Sequence, residues 1–296
     1  MRIVHTAREL RGLASRPSRR SGDRASRAVV MTMGALHEGH LALVRAAREA
    51  ADEVVVTIFV NPLQFEDDED LERYPRTLEA DCALLEPLGV DVVFAPSLDE
   101  VYPGGPPVVT VHAGAIGDVL EGAHRPGHFD GVLTVVTKLL NLTQPDLAFF
   151  GQKDAQQVIA VRALVRDLSI ATRIVPVPTV RDADGLALSS RNVFLSPVER
   201  TRALVLHRAL QAADGAARAG RPLEAVLAAG RHTLSEVPQV EVDYLAALDP
   251  VTAEELTPGY VGEAVVAVAA QVGATRLIDN VVTRIGPVLP EAPAEA

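Results

Sequence analysis

Two histidines three residues apart, His37 and His40, stand where a glycine-rich turn joins a predicted strand to a predicted helix. The apolar run Ala28-Val29-Val30 precedes the turn, and an apolar, alanine-rich segment follows it from Leu41. Unpaired backbone N–H groups and partial positive charge gather at a helix N-terminus, so that end of a helix favours anions. Two imidazoles at the same point predict a cradle for phosphate.

The spacing of these histidines argues against a metal site. The zinc-protease motif His-Glu-x-x-His needs a spacing of four on one helix face, whereas His37 and His40 are three apart with Gly39 between them. His-x-Gly-His after a strand is instead typical of nucleotidyl-transfer enzymes with a Rossmann-like fold. In those enzymes the glycine lets the chain approach ATP, and the histidines stabilise charge on the α-phosphate. For this motif taken alone, two ordinary histidines at a helix start remain the alternative.

A second polar segment, Gly151-Gln152-Lys153-Asp154, follows another apolar run and leads into Gln156-Gln157. Gly151 would let the backbone approach a ligand, and Lys153 could neutralise a phosphate. Asp154 could accept from ribose hydroxyls or simply cap the next helix, which is the alternative interpretation of the segment.

A third segment, Leu188-Ser189-Ser190-Arg191-Asn192, comes shortly after the acidic stretch 182–185. Two hydroxyls and a guanidinium in one loop suit phosphate oxygens. In isolation, a polar surface turn would explain the same residues. The segment resembles the second phosphate-binding loop that accompanies His-x-Gly-His in class I aminoacyl-tRNA synthetases and their relatives.

Two neutral amides, Asn61 and Gln64, follow a fourth apolar run in Phe59-Val-Asn-Pro-Leu-Gln-Phe65. They suit a small polar organic substrate better than phosphate. Neither a Walker A pattern nor Gly-x-Gly-x-x-Gly stands at a strand–helix junction, which disfavours P-loop and dinucleotide-binding proteins.

These segments need a framework, and the sequence predicts one of alternating strands and helices. Apolar runs predict strands at 28–30, 54–59, 91–95, 147–150 and 173–177, and helical spacing predicts helices at 77–88, 132–142 and 154–168. Such alternation predicts a parallel sheet covered by helices on both faces. Ligands of such sheets bind beyond the carboxyl ends of the strands, so we expect His37, Asn61, Gly151 and Lys153 to converge on one edge.

The pattern changes after about Arg181, where two helices (197–217 and 223–236) precede three strands (240–248, 264–269 and 276–282). We therefore expect two domains, a Rossmann-like domain over 1–180 and a smaller α+β domain over 181–286. The Pro-, Glu- and Ala-rich end, 287–296, is expected to be a disordered tail.

Composition narrows the class of protein. The formal net charge of −11 argues against a general nucleic-acid binder, and no apolar stretch approaches the roughly 20 residues that span a bilayer. The start lacks the apolar core of a signal peptide, and a lone cysteine, Cys82, excludes an internal disulfide. We expect a soluble cytoplasmic protein that binds neither nucleic acid nor membrane.

Three features of charge stand out from this background. Of the 28 basic residues only Lys138 and Lys153 are lysines. Two explanations remain open: a need for a compact point charge at these positions, or chance. Basic residues cluster over 8–27 and acidic ones over 67–70. We expect both clusters to be solvated segments rather than sites for a polyanion or a cation.

Several motifs, in order along the chain, resemble the pantothenate synthetase (pantoate–β-alanine ligase) family. They run from about Ile3 to Val282 and comprise Thr-Met-Gly-Ala-Leu-His-Glu-Gly-His, Phe-Val-Asn-Pro-x-Gln-Phe, Tyr74-Pro-Arg76, Arg125-Pro-Gly-His-Phe129, Gly-Val-x-Thr-Val-Val-x-Lys138, Lys153-Asp-x-Gln-Gln157 and Ser-Ser-Arg-Asn192. The resemblance implies an ATP-dependent ligase. Pantoate carboxylate would attack the α-phosphate to give pantoyl adenylate and pyrophosphate, and β-alanine would then release AMP and form pantothenate.

The resemblance also implies Mg²⁺ with ATP, a homodimer, and a C-terminal domain that acts as a lid. By position it makes His40 the proton donor and His37 a second group facing phosphate, with Lys153 as a third catalytic residue. Gln64 would contact pantoate and β-alanine, Gln157 would bind pantoate, and Asn61 would help to bind substrate. The ATP-binding residues would be Met33, Gly34, Ala35, Leu36, His37, Glu38, Gly39, His40, Gly151, Gln152, Lys153, Asp154, Val180, Leu188, Ser189, Ser190 and Arg191. The Mg²⁺ ligands stay unassigned.

Three positions depart from the usual pattern of the family. Met31 stands where proline is expected, Gln152 replaces a glutamate and Leu188 a methionine, so we expect altered affinity rather than lost activity. Two alternatives remain open: an adenylyltransferase that leaves AMP on its product, and a nucleotide sensor without catalysis.

Overall fold

The computed structural model describes residues 1–13, 26–65 and 68–287, which form two compact units. The first unit contains residues 1–152 and 156–180, and the second contains residues 153–155 and the chain from 181 onward. Most of the basic cluster, the side chains of the acidic cluster 67–70 and nearly all of the predicted tail lie outside the described residues.

A parallel sheet of six strands forms the centre of the first unit, in the order β1-β4-β3-β2-β5-β6. Its strands are β1 (Arg2–Val4), β2 (Arg27–Thr32), β3 (Glu53–Ile58), β4 (Val92–Phe94), β5 (Leu147–Gly151) and β6 (Arg173–Val177). The predicted Rossmann-like sheet is therefore confirmed. The strand order reverses between β2 and β5, and in open parallel sheets a crevice for ligands lies at such a switch point.

Helices cover both faces of this sheet, as predicted. They are α1 (Ala7–Gly12), α2 (Glu38–Ala50), α3 (Asp68–Arg73), α4 (Leu78–Leu85), α5 (Leu98–Val101), α6 (Glu121–His124), α7 (His128–Thr143) and α8 (Ala155–Asp167). Successive strand residues point to opposite faces. Val29 and Val55 pack into one apolar core with residues of α7 and α8, whereas Val30 and Val56 pack into another with α2 and α4. The central strands are thus buried on both sides, which explains their continuous apolar runs.

Local chemistry accounts for the differences from the predicted boundaries. The helix predicted over 77–88 ends at Leu85 and continues as a 3-10 turn, Glu86–Leu88, because Gly89 closes it with φ +72°. The predicted helix 132–142 begins earlier, at His128, directly after Gly127 with φ +78°. Met31 remains within β2, opposite Thr57, so the ladder continues through the position where the family usually has proline.

The second unit combines two helices with an antiparallel sheet in the order β7-β8-β9, which confirms the predicted α+β unit. Its elements are α9 (Pro197–Arg218), α10 (Leu223–Ser235), β7 (Val240–Leu248), β8 (Gly262–Val272) and β9 (Thr275–Ile285). Ser196 and Glu199 form a capping box that starts α9. Apolar residues of both helices share one buried core with the sheet.

Candidate active site

The first candidate segment, 33–40, begins with a turn after β2, and a buried carboxylate stabilises this turn. Gly34 has φ +85° and Ala35 has φ +51°, so both occupy the left-handed region. The carboxylate of Asp81, which is 2% exposed, accepts the backbone N–H of Ala35 at 3.1 Å and of Leu36 at 2.8 Å. It also accepts the hydroxyl of Thr77 at 3.1 Å. A Cβ at position 34 would lie 3.0 Å from the same carboxylate, so the close approach favours glycine there.

Both histidines stand at the start of α2 and make contact with its first backbone groups. His37 is the N-cap residue, and its Nδ1 accepts the N–H of Gly39 at 3.1 Å. The His40 Nδ1 accepts the N–H of His37 at 3.3 Å, and the two rings lie 4.2 Å apart between centroids. A neutral imidazole that accepts through Nδ1 carries its proton on Nε2. In their neutral forms, both rings would therefore carry Nε2–H at a helix N-terminus, where an anion is favoured.

Gly39 permits this arrangement. A Cβ at position 39 would lie 2.8 Å from Cε1 and 3.0 Å from Nδ1 of the His37 ring. The glycine in His-x-Gly-His therefore makes room for a neighbouring imidazole.

The segment after β3 connects to the one after β2 through side-chain amides. Asn61 is 1% exposed, and its Nδ2 donates to Gln64 Oε1 and to the carbonyl of Gly131, both at 3.1 Å. Gln64 Nε2 in turn lies 2.9 Å from the sulfur of Met33. Asn61 thus lies in the interior and positions Gln64, which is only partly buried.

Helix α7 fixes the short 3-10 turn Pro62–Gln64 that carries Gln64. A Cβ at Gly131 would lie 2.1 Å from the carbonyl oxygen of Leu63, so only glycine allows this packing. The Gln64 carbonyl accepts from Arg125 Nη2 at 3.1 Å and from His128 Nδ1 at 3.0 Å. Arg125 and His128 therefore anchor the turn rather than standing apart from it.

The third strand end, that of β5, brings Gly151, Gln152 and Gln157 to the same edge of the sheet. The N–H of Gln152 donates to the Val177 carbonyl at 2.8 Å, and Gln157 in α8 is half-buried. The adjacent Gln156 turns inward, where its amide bonds the backbone of Ile116, Val119 and Glu121. Of this glutamine pair, Gln156 holds a loop and Gln157 faces the partly exposed side.

Lys153 and the Ser-Ser-Arg loop belong to the second unit, where they line a small cavity of about 20 Å³, room for one water molecule. The Lys153 side chain is 22% exposed, and its Nζ lies 3.6 Å from Asp154 Oδ1. Asn280 Nδ2 donates to the Lys153 carbonyl at 2.8 Å, which ties this short segment to β9. The cavity is lined by Lys153, Leu186, Ala187, Ser189, Arg191, Asn192, Ala203, Leu206, His207, Arg276, Leu277, Ile278 and Asp279.

An ion pair between Arg181 and Asp279 lies at the edge of this cavity, which Asp279 lines. Arg181 donates to both carboxylate oxygens of Asp279, at 2.7 and 2.9 Å. His207 lies nearby, with Gly185 against its ring. Burial lowers the pKa of His207, the charge of Arg181 lowers it further, and Asp279 opposes the shift. Within the described part of the chain, His207 Nδ1 is buried without a hydrogen-bond partner.

The other predicted residues fall into two groups. Met33, Leu36, Val180 and Leu188 are partly buried, whereas Glu38, Asp154, Ser190 and Arg191 are exposed. Glu38 pairs with Arg45, about two helical turns further along α2.

Sequence reasoning missed two buried residues that support this site, Asp81 and Tyr102. The Tyr102 hydroxyl donates to Asn61 Oδ1 at 2.9 Å. Asp81 stands 46 positions from Ala35, and Tyr102 stands 41 positions from Asn61. For Asp81, a charged side chain on the apolar side of a predicted helix was the available signal.

In the part of the chain that the structure describes, no group of three or more histidine, cysteine or acidic side chains could hold a metal ion. Among the described helices, none combines the length and the apolar character needed to cross a bilayer.

Comparison with known proteins agrees with this geometry. The family described as pantoate-beta-alanine ligase matches residues 2–282. A pantothenate synthetase from Frankia alni is 58% identical over 259 residues, which cover 88% of this chain and 83% of the relative. A crystal structure of the enzyme from Thermus thermophilus is 49% identical, with a TM-score of 0.85 over 95% of this chain and 99% of that one. The ligase from Francisella tularensis, complexed with beta-gamma ATP and beta-alanine, is 34% identical, with a TM-score of 0.73 over 95% of this chain and 97% of its own. With six parallel strands, a histidine pair at the switch point and this match along nearly its whole length, the chain belongs to the pantoate–β-alanine ligase family.

Proposed function

We propose that this chain catalyses the ATP-dependent condensation of (R)-pantoate with β-alanine, giving pantothenate, AMP and pyrophosphate through a pantoyl adenylate. The match of the family over residues 2–282 is the observation that carries the proposal. A family structure complexed with beta-gamma ATP and beta-alanine supports the same substrates. Formation of pantothenate is a step of the pathway that leads to coenzyme A.

In the first step, a pantoate carboxylate oxygen attacks the α-phosphorus of ATP and pyrophosphate leaves. Both reactants are anions, so the negative charge must be offset before they can approach. Nε2–H donors of His37 and His40 would do this together with the N-terminus of α2. Their orientation is set in advance by hydrogen bonds to the backbone, so little reorganisation is needed during reaction.

The remaining ATP contacts would come from the backbone between Met33 and His40, from the segment 151–154, from Val180 and from the loop 188–191. Lys153 would place an ammonium near the phosphates, and Ser189, Ser190 and Arg191 would add hydroxyl and guanidinium donors. We propose that the second unit acts as a lid, with the stretch 182–185 as its mobile part, because the acyl adenylate must be kept from water.

Pantoate would bind to the amides of Gln64 and Gln157, and Asn61 would act from behind Gln64. Half-burial of both glutamines and the full burial of Asn61 support this division of roles. In the second step the β-alanine amine attacks the acyl carbon, and AMP leaves with the oxygen that pantoate supplied.

Mg²⁺ would accompany ATP in this reaction. Mg²⁺ is often held by substrate phosphates and water with only one or two carboxylates, so it does not require a cluster of protein ligands. We therefore propose that the ion arrives on the triphosphate, and we assign it no ligand from the protein.

We further propose a cytoplasmic homodimer that uses no nucleic acid or membrane. The net charge of −11 argues against a nucleic-acid partner, and the homodimer is what the resemblance to the family implies. Light scattering coupled to size-exclusion chromatography would test the dimer, with a 31.4 kDa species as the contrary result.

A two-stage assay tests the function. ATP and pantoate alone should release pyrophosphate, and later addition of β-alanine should release free AMP. AMP retained on the product would favour an adenylyltransferase, and ATP binding without pyrophosphate release would favour a sensor.

A further inference from the structure

A buried tyrosine, Tyr102, contacts Asn61, whose side chain in turn contacts Gln64, the residue proposed to bind pantoate. Tyr102 comes directly after α5 and is 3% exposed. Its hydroxyl donates to Asn61 Oδ1 at 2.9 Å. Burial raises the pKa of Tyr102 well above the ordinary range, so the phenol keeps its proton and remains a donor. Among the described residues, the hydrogen bond to Asn61 links this hydroxyl to the site.

The ring of Tyr102 is held from two sides. Phe59 packs against it at 5.9 Å between centroids, with the planes 63° apart. Lys138 places its Nζ 5.5 Å from the centroid of the same ring, a cation–π contact that uses one of the two lysines in the chain. Such contacts restrict the ring, so the position of its hydroxyl is set by packing.

The Asn61 amide then has a defined direction. Its Oδ1 faces two donors, the Tyr102 hydroxyl and the N–H of Leu63 at 3.3 Å, while Nδ2 faces two acceptors, the Gly131 carbonyl and Gln64 Oε1. Of the two donors to Oδ1, the tyrosine makes the shorter bond. Asn61 Nδ2 donates a hydrogen bond to Gln64 Oε1. The Gln64 amide is therefore oriented with Nε2 toward Met33, in the first ATP segment.

We propose that Tyr102 is a positioning residue for pantoate binding, which acts through Asn61 to make Gln64 present its N–H donors to the substrate. The inference rests on the proposed function, because it assigns a substrate contact to Gln64. It adds a residue that touches neither ATP nor substrate and is separated from Gln64 by one side chain.

Tyr102→Phe tests the proposal, because it removes one oxygen and keeps the ring between Phe59 and Lys138. Without the hydroxyl, Oδ1 of Asn61 keeps only its longer bond, and the Gln64 amide is held less firmly. The KM for pantoate should rise about tenfold, since loss of one buried hydrogen bond costs about 1 kcal/mol, while the KM for ATP stays unchanged. Tyr260→Phe is the matched control, because its hydroxyl bonds the Glu263 carbonyl in the second unit.

A double-mutant cycle separates positioning from a general structural effect. If Tyr102 acts through Gln64, Tyr102→Phe should change the pantoate KM in the wild-type enzyme but not in a Gln64→Ala background. Equal effects in both backgrounds, or an unchanged KM in the wild-type background, would overturn the proposal. If Tyr102→Phe did not fold, Lys138→Met, which removes the cation–π contact that holds the Tyr102 ring, would be run through the same cycle and judged by the same outcomes. Wild-type enzyme without pantoate-dependent pyrophosphate release would instead refute the proposed function itself.

Discussion

The carboxylate of Asp81 accepts the backbone N–H of Leu36 at 2.8 Å, although 45 positions separate the two residues. This bond joins helix α4 to the turn from which the histidine pair departs. A buried carboxylate thus shapes the segment that we propose to bind phosphate, and it does so by accepting backbone and hydroxyl donors.

Asp81→Asn should weaken this turn. The amide has one acceptor oxygen in place of two and directs N–H donors at backbone N–H groups. We expect the free energy of unfolding to fall by roughly 1–3 kcal/mol, the usual cost of leaving buried hydrogen-bonding groups unpaired. Urea denaturation checks the value. Glu79→Gln, the same change of charge on an exposed face of α4, is the control and should leave the unfolding free energy nearly unchanged.

Gly39→Ala should lower activity without lowering stability. Alanine favours a helix over glycine by about 1 kcal/mol, but here its Cβ would displace the His37 ring, which lies 2.8 Å away. We expect at least an order of magnitude loss in pyrophosphate release, roughly 1.4 kcal/mol of transition-state stabilisation. Gly215→Ala in α9 is the matched control, because a Cβ there meets no atom within 4 Å. Comparable losses of activity in the two variants would contradict the role assigned to Gly39.

His40→Ala and Lys153→Ala should each slow adenylate formation. Loss of one preorganised donor costs about a hundred- to a thousandfold in rate in other enzymes, or roughly 3–4 kcal/mol. Rapid-quench measurement of pantoate-dependent pyrophosphate release isolates this step. His124→Ala and Arg166→Ala, both at exposed positions, serve as controls. A normal rate in either variant would refute the assignment of that residue.

Stability of the second unit should depend on pH through His207. Burial and the charge of Arg181 lower its pKa in the folded chain, so the unfolded chain binds the proton more readily as the pH falls. The contribution is constant above an unfolded pKa of about 6.5 and is lost as the pH drops below it. His207→Phe should reduce the difference between urea midpoints measured on either side of that pH. His232→Phe, at an exposed position in α10, should not.

Periodicity was sufficient for most of the framework. The run 147–150 corresponds to the buried strand β5, and the predicted helix 154–168 corresponds to α8, whose apolar residues pack into a core. The run 173–177 corresponds to β6, whose apolar side chains are only partly buried. The edge strand β1 was missed, since three residues with one buried side chain leave little pattern. Helix α6, which has four residues and follows Leu120 with φ +46°, was missed as well.

Local sequence also located the histidine segment at the start of a helix, but it did not identify the residues that support the segment. His37 and Asn61 follow β2 and β3, and Gly151 ends the neighbouring strand β5, so a rule about strand ends was enough to group them. The polar amide of Asn61 suggested an exposed side chain, but Asn61 is 1% exposed. Its partners Tyr102 and Gly131 come from distant segments of the chain. Contacts of that kind depend on tertiary packing and leave no local pattern in the sequence.

The fate of a carboxylate oxygen tests the central claim most directly. Pantoate labelled with ¹⁸O in its carboxyl group should transfer one labelled oxygen to the phosphate of AMP, because that oxygen bridges carbon and phosphorus in the adenylate. Mass spectrometry of AMP after a single turnover with β-alanine gives the answer. Label found in the AMP is the result predicted here, and AMP free of label would contradict the adenylate pathway.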